Sequence, residues 1–157
     1  MKTTPLFPIQ LISRFVFTCL LGCWTLSLRA QNPVLSIVTD PKPGRSVAHG
    51  LSKLTEALRA KRIAFETVSS LNEAKGKTLL VAGLASGDET AARLLKSGSR
   101  VVPPVPEALT IWKTQAQGKA AWIISGFDDR GLMYALLDAA DRVSWSADPA
   151  APLSELR

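Results

Sequence analysis

The stretch Ala121–Trp145, AWIISGFDDRGLMYALLDAADRVSW, decides the fold. Its first five residues, Ala121–Ser125, are apolar or small and read as a buried strand that ends at Gly126. After a polar turn, Leu132, Ala135, Leu136, Ala139, Ala140 and Val143 recur at spacings of three and four, which is one face of a helix. Asp128 and Asp129 stand at its start, where a carboxylate accepts from unpaired backbone N–H groups and meets the positive end of the helix dipole. A strand followed by a helix with one apolar stripe must bury that stripe against the strand's own sheet, which makes an α/β layer.

The chain before this unit alternates in the same way. Val34–Val38 is a short apolar run that ends in TDPKPG, where two prolines and Gly44 forbid regular structure. Val47, Leu51, Leu54 and Leu58 then fall on one helical face, with Ser46 as the expected cap. Ile63–Val68 alternates as a strand with one less buried face. Leu79–Ala82 is another apolar strand, running into GLASGDETAARLL, a loop and short helix expected to be capped near Ser86 or Asp88. Pro103, Pro104 and Pro106 interrupt the pattern. Glu107–Lys113 then reads as a strand joined to Ala121–Ser125 through the polar turn TQAQGK, a loop compatible with an antiparallel hairpin. The order is β-α-β-β-α-β-β-α. Crossovers give parallel pairs and the hairpin an antiparallel one, so the expected fold is α/β (two-layer α+β): a mixed sheet with helices packed on it.

The N-terminus reads as a targeting segment. Lys2 and Arg14 precede the apolar run Phe15–Leu28, and SLRA with Ala30 supplies a small residue at a cleavage position. The run is shorter than the ~20 residues that span a bilayer. The expected organisation is a signal peptide over residues 1–30, an α/β domain over 31–148, and a polar tail over 149–157. Export places the domain in a periplasm or outside the cell. A second reading takes Leu20-Leu21-Gly22-Cys23 as a lipobox, and a membrane partner is expected only if Cys23 is acylated. Cys19 and Cys23 both lie in the signal segment, so the mature part carries no thiol and burial alone must hold it.

Removing Lys2, Arg14 and Arg29 with the signal leaves sixteen basic against thirteen acidic residues, a mature net charge of +3. These cations are dispersed, with no run longer than Lys61–Arg62 and no interleaved aromatics, so a nucleic-acid surface is excluded. His49 is the single histidine, with no cysteine beside it, and no metal or cofactor site is expected. Gly83-Leu84-Ala85-Ser86-Gly87 is G-x-x-S-G rather than the G-x-S-x-G of a nucleophile elbow, and reads as a βα turn. Glycosidic cleavage uses two carboxylates about 5–9.5 Å apart. Asp128 and Asp129 are adjacent acids at a helix start, where neighbouring side chains diverge, so capping is the preferred reading and no catalytic residue is assigned.

From Glu107 onward the chain resembles the N-terminal accessory domain of exo-acting glycoside hydrolases of the α-glucuronidase and β-hexosaminidase-like type. The resemblance is carried by Ile124-Ser125-Gly126-Phe127-Asp128-Asp129-Arg130-Gly131-Leu132-Met133-Tyr134-Ala135, a small-Gly-x-x-D-R-G-x-x-Y-A pattern, with Glu107–Ile111 and Leu79–Gly83 as the strands beside it. It implies a non-catalytic mixed-sheet domain packed beside a (β/α)₈ barrel that holds the catalytic carboxylates. It implies structural roles for Gly126, Asp128, Asp129, Arg130, Gly131 and Tyr134, with the barrel as partner. A barrel takes about 250 residues, whereas a dozen follow Trp145, so the expectation is a truncated or split chain, or a free-standing copy of the domain. Within this reading Gly126 and Gly131 permit a tight turn and close helix–strand approach; Arg130 is a solvated first-turn residue or a bridge to the barrel, with a sugar contact as the alternative; and Tyr134 packs its ring with its hydroxyl in water, the alternative being a hydroxyl turned to an interface. Trp112 and Trp122, on the expected hairpin, are the candidate contacts to a polysaccharide or to the barrel; the alternative function is a stand-alone glycan-binding or protein-interaction module.

Overall fold

A computed structural model describes residues 33–146, and the expected signal segment, Cys23 and the tail lie outside the described residues. The elements are β1 Leu35–Val38, α1 Arg45–Ala60, β2 Phe65–Val68, a short 3₁₀ turn Leu71–Glu73, β3 Thr78–Leu84, α2 Thr90–Ser97, β4 Leu109–Ala116, β5 Lys119–Gly126 and α3 Asp129–Trp145. The β-α-β-β-α-β-β-α order of the sequence reading holds. The strands form one five-stranded mixed sheet in the order β2-β1-β3-β5-β4. β2, β1, β3 and β5 are parallel neighbours, and β4 is an antiparallel edge on β5.

The direction of winding decides which face each helix covers. The chain leaves β1 through α1 to β2 on one side, then leaves β3 through α2 toward β4 and β5 on the other. Crossovers keep one hand, so reversing the direction moves the helix to the opposite face. α1 and α3 pack together over Leu35, Ile37, Leu80, Trp122 and Ile124. α2 covers Val38, Leu79, Val81, Ala121 and Ile123 on the other side. Strands β1 and β5 thus bury both faces, which is why they read as continuous apolar runs rather than as alternation.

The α3 stripe is buried as its periodicity requires: Leu132, Ala135, Leu136, Ala139, Ala140 and Val143 are all in the core. It meets Val47, Gly50, Leu54, Ala57 and Leu58 of α1. A Cβ on Gly50 would stand 2.9 Å from Leu136 Cβ, so the missing side chain is what lets the two helices approach this closely.

Several local expectations are corrected. α1 starts at Arg45 with Gly44 in the capping position, so Ser46 is inside the helix and caps nothing. α2 is preceded by Glu89, not Ser86 or Asp88. The Glu89 carboxylate folds back to accept from the Leu84 N–H at 2.8 Å, across Gly83, where a Cβ would stand only 2.7 Å from Glu89 Oε2. β4 begins at Leu109 rather than Glu107, because Glu107 has a left-handed φ of 63° and turns the chain. Between β4 and β5 the loop shrinks to Gln117 and Gly118, both with positive φ (51° and 71°), the conformation of a two-residue hairpin turn whose twist matches the strands.

Trp122 is only 4% exposed and fills the space between the sheet and α3. Trp122→Ala is expected to cost about 3–5 kcal/mol, read as a fall in the urea midpoint at unchanged slope. A near-normal midpoint would contradict the packing described.

Candidate functional site

The residues singled out by the sequence pattern meet where β5 passes into α3. Asp128 has extended backbone (φ −135°) and caps the helix, its Oδ1 accepting from the Gly131 N–H at 2.8 Å. Its Oδ2 accepts from the Glu107 N–H at 3.1 Å, which the left-handed turn at Glu107 presents. The Phe127 N–H donates to Ala108 O at 2.8 Å, and Arg130 Nη1 reaches Glu107 Oε1 at 3.0 Å. One carboxylate therefore ties the start of α3 to the segment leading into β4. The two N–H donors, Gly131 first, hold the Asp128 carboxyl below its usual range.

Both glycines are required by contact. A side chain on Gly131 would run into Ala108 O, and one on Gly126 into the Leu132 N–H region of the helix's own first turn. Arg130 is exposed and pairs within the domain with Glu107. Tyr134 stands 38% exposed on the outer side of α3.

Asp129 turns away from Asp128. Its carboxylate lies against Gly44, at the start of α1, in space that any Cβ on Gly44 would occupy. It therefore faces the positive ends of two helices at once. The adjacent acids serve two different junctions and do not flank a common volume.

The two tryptophans do not form a pair. Trp112 lies opposite Ile123 and Trp122 opposite Lys113, a one-residue offset that sends them to opposite faces of the sheet. Trp122 is buried under α3 with Lys113 Nζ 5.3 Å from its ring centre. Trp112 is half-buried beside α2, under Arg100 at 5.3 Å, in a space kept open by the absence of a side chain on Gly98. The two rings therefore cannot form one stacking surface, because the register alternates their directions.

A second carboxylate is held in the same manner as Asp128. Ser36 Oγ in the centre of the sheet donates to Glu66 Oε1 at 2.6 Å and accepts from the Gly76 N–H at 2.7 Å. The Glu66 carboxyl is lowered, chiefly by the Ser36 hydroxyl. Ser125 Oγ, by contrast, is a buried hydroxyl without a hydrogen-bond partner among the described residues. No group of three His, Cys, Asp or Glu side chains among the described residues is placed to hold a metal.

Two concavities lie near α2. One, of about 500 Å³, is lined by Ala85, Ala92, Leu95, Val101, Val102 and Phe127, with Lys96 and Arg100 at its side. The other, of about 220 Å³, lies between the ends of β1 and β3 and includes Thr39, Asp40, Asp88, Thr90 and Arg93. Of these five only Asp88 was singled out from the sequence, as an expected helix cap. Thr39 and Asp40 follow β1, whereas Asp88, Thr90 and Arg93 belong to the loop after β3 and the start of α2, and only the strand order brings the two groups together.

Gly131→Ala is expected to cost about 1–3 kcal/mol, because the new methyl must displace the Ala108 carbonyl; unchanged stability would show that α3 does not lie this close. Asp128 and Glu66 have lowered carboxyl pKa values in the folded state. Their contribution is therefore full above the unfolded carboxylate pKa of about 4 and is lost as pH falls through the folded values. The urea midpoint should drop as the pH falls below about 4, and D128N/E66Q should weaken this dependence while lowering the midpoint at about pH 7. An identical acid dependence in that double variant would exclude these two groups as its cause.

Compared with known protein families and with curated proteins, the chain matches no family model and no curated sequence.

Proposed function

We propose that this chain is the non-catalytic accessory domain of an exported carbohydrate-active hydrolase, and that its β4–β5–α3 edge seats a catalytic barrel. The observation that carries the reading is an apolar surface beside the last helix. Val105, Leu109 and Phe127 are 51%, 40% and 37% exposed, and Val101 reaches 83%. They are neighbours: Leu109 pairs with Gly126 in the sheet, and the Ala108 carbonyl and N–H bond Phe127 N and Val105 O. Exposed apolar residues gathered in one place mark a contact surface, whereas scattered ones carry no message.

The same surface is held rigid by the Asp128 cap and the Gly131 contact beneath it. This gives the Gly126–Gly131 pattern a purpose in shaping an interface rather than in chemistry. The carboxylates around it are engaged in structure: Asp128 in the cap, Glu107 with Arg130, and Asp129 against Gly44. A free-standing glycan binder built on the two tryptophans gains no support, since they point to opposite faces.

The test uses the processed chain, residues 31–157, mixed with the barrel of an exo-acting glycoside hydrolase of the resembled type expressed without its own accessory domain. Sedimentation velocity should detect a one-to-one complex that Phe127→Asp and Leu109→Asp abolish while far-UV circular dichroism stays unchanged. The processed chain alone should not turn over aryl glycosides. Turnover by the chain alone, abolished by Asp128→Asn or Asp129→Asn, would overturn the reading, as would failure of the folded chain to bind the barrel.

A further inference from the structure

The larger concavity, of about 500 Å³, lies on the α2 side of the sheet. Its most buried lining residues are Ala92 and Leu95 of α2 and Val102 of the segment that returns toward β4. Ala85, just past β3, and Phe127, just past β5, belong to the end where these two parallel strands finish. Val101 also lines it and leaves 83% of its surface to water. The volume falls within the roughly 300–1,000 Å³ of small-molecule sites, which are apolar in the main with a few polar groups that orient the ligand.

The charged groups of this cavity are of one sign. Lys96 and Arg100 border it, and no acidic side chain does. The ion pairs among the described residues are Lys53–Glu56, Arg130–Glu107 and Arg142–Asp138, so neither cation is neutralised within the domain. The end of α2 does not engage them either. Ser99, with a left-handed φ of 52°, turns the chain so that its N–H donates to Lys96 O at 3.1 Å and the Arg100 N–H donates to Leu95 O at 2.9 Å. The last carbonyls of the helix are thus satisfied by backbone, and the two side chains are left for another partner. Arg100 is also held in position, its guanidinium 5.3 Å above the centre of the Trp112 ring.

Walls and charges together select the occupant. A cation is repelled by Lys96 and Arg100. A bare inorganic anion leaves the apolar walls against water, and a neutral polyol finds no carboxylate to accept its hydroxyl protons. What fits is a molecule with an apolar body against Leu95, Val102 and Phe127 and a negative group at one end, facing the ammonium and the guanidinium.

We propose that this cavity binds a small amphiphilic anion, an aromatic ring or short alkyl body that carries one carboxylate or phosphate group. The inference does not depend on the carbohydrate reading. Val101 and Phe127 are shared with the apolar surface assigned to docking, so a protein seated there is the competing occupant.

Residues 31–157, labelled with ¹⁵N, are titrated with phenylacetate, phenyl phosphate, phenethyl alcohol, phenethylamine and inorganic phosphate. The aromatic anions should give saturable shifts at millimolar concentration, gathered at the amides of Leu95, Lys96, Arg100, Val102 and Phe127. The tighter of the two tells a carboxylate head from a phosphate head. The alcohol should bind about fivefold more weakly, the loss of a partly exposed ion pair, and the amine and inorganic phosphate should not saturate. Both cations are exposed, so K96E/R100E is expected to fold; it should take the amine in place of the anions, a reversal that a purely structural role for the two side chains does not produce. In a folded protein, equal binding of the alcohol and phenylacetate would overturn the inference. So would saturation by inorganic phosphate alone, or silence toward both aromatic anions, the result expected if only a protein covers the cavity. Docking of the barrel is read separately through Leu109→Asp, which lies outside the cavity, so either reading can fail without the other.

Discussion

Asp128 places each of its two carboxylate oxygens on an N–H from a different segment, Gly131 at the start of α3 and Glu107 before β4. That arrangement forces α3 to begin directly over the carbonyl of Ala108, which only a glycine at 131 allows. From this fixed origin α3 runs across the sheet with its apolar stripe down and lies alongside α1. The two helices together bury Trp122, Leu80 and Ile37. Capping contributes less free energy than the core does, yet it decides where the core forms, because a helix begun one residue earlier or later is rotated by about 100° and presents a different face.

Burial on both faces explains much of the remaining architecture. Residues 33–146 contain no cysteine, so this domain has chiefly packed apolar area to set against conformational entropy. Helices on both sides of the sheet give β1, β3 and β5 two apolar faces each and concentrate burial in few strands. The reversal of winding that achieves this also opens the smaller concavity between the ends of β1 and β3, which is thus a by-product of how the core is covered.

The domain divides its polar groups between these tasks. Glu66, Asp128 and Glu89 accept backbone or hydroxyl protons and hold junctions together. Asp40 and Asp88 face solvent at that concavity, and the apolar residues around Phe127 face outward on another side. A structure whose acids are spent on junctions suits a scaffold, with recognition left to its apolar surface and to the cavity beside α2.

The local sequence determined the elements, and it did so where a single periodicity or donor–acceptor need acts over a few residues. The α3 stripe, the Asp128 cap, the order of elements along the chain and the mixed sheet follow from apolar spacing, from the unpaired N–H groups of a helix start and from loop length. The tertiary structure alone decided what depends on neighbours distant in the chain. Glu107 adopts a left-handed turn because its N–H is wanted by Asp128, twenty-one residues away. Asp129 faces Gly44, and Trp112 and Trp122 are parted by a register that neither strand specifies by itself. Thr39 lies near Asp88 and Arg93 only because the strand order sets the end of β1 beside the β3–α2 connection. Short-range chemistry is written in spacing, whereas convergence of loops is a property of the completed sheet.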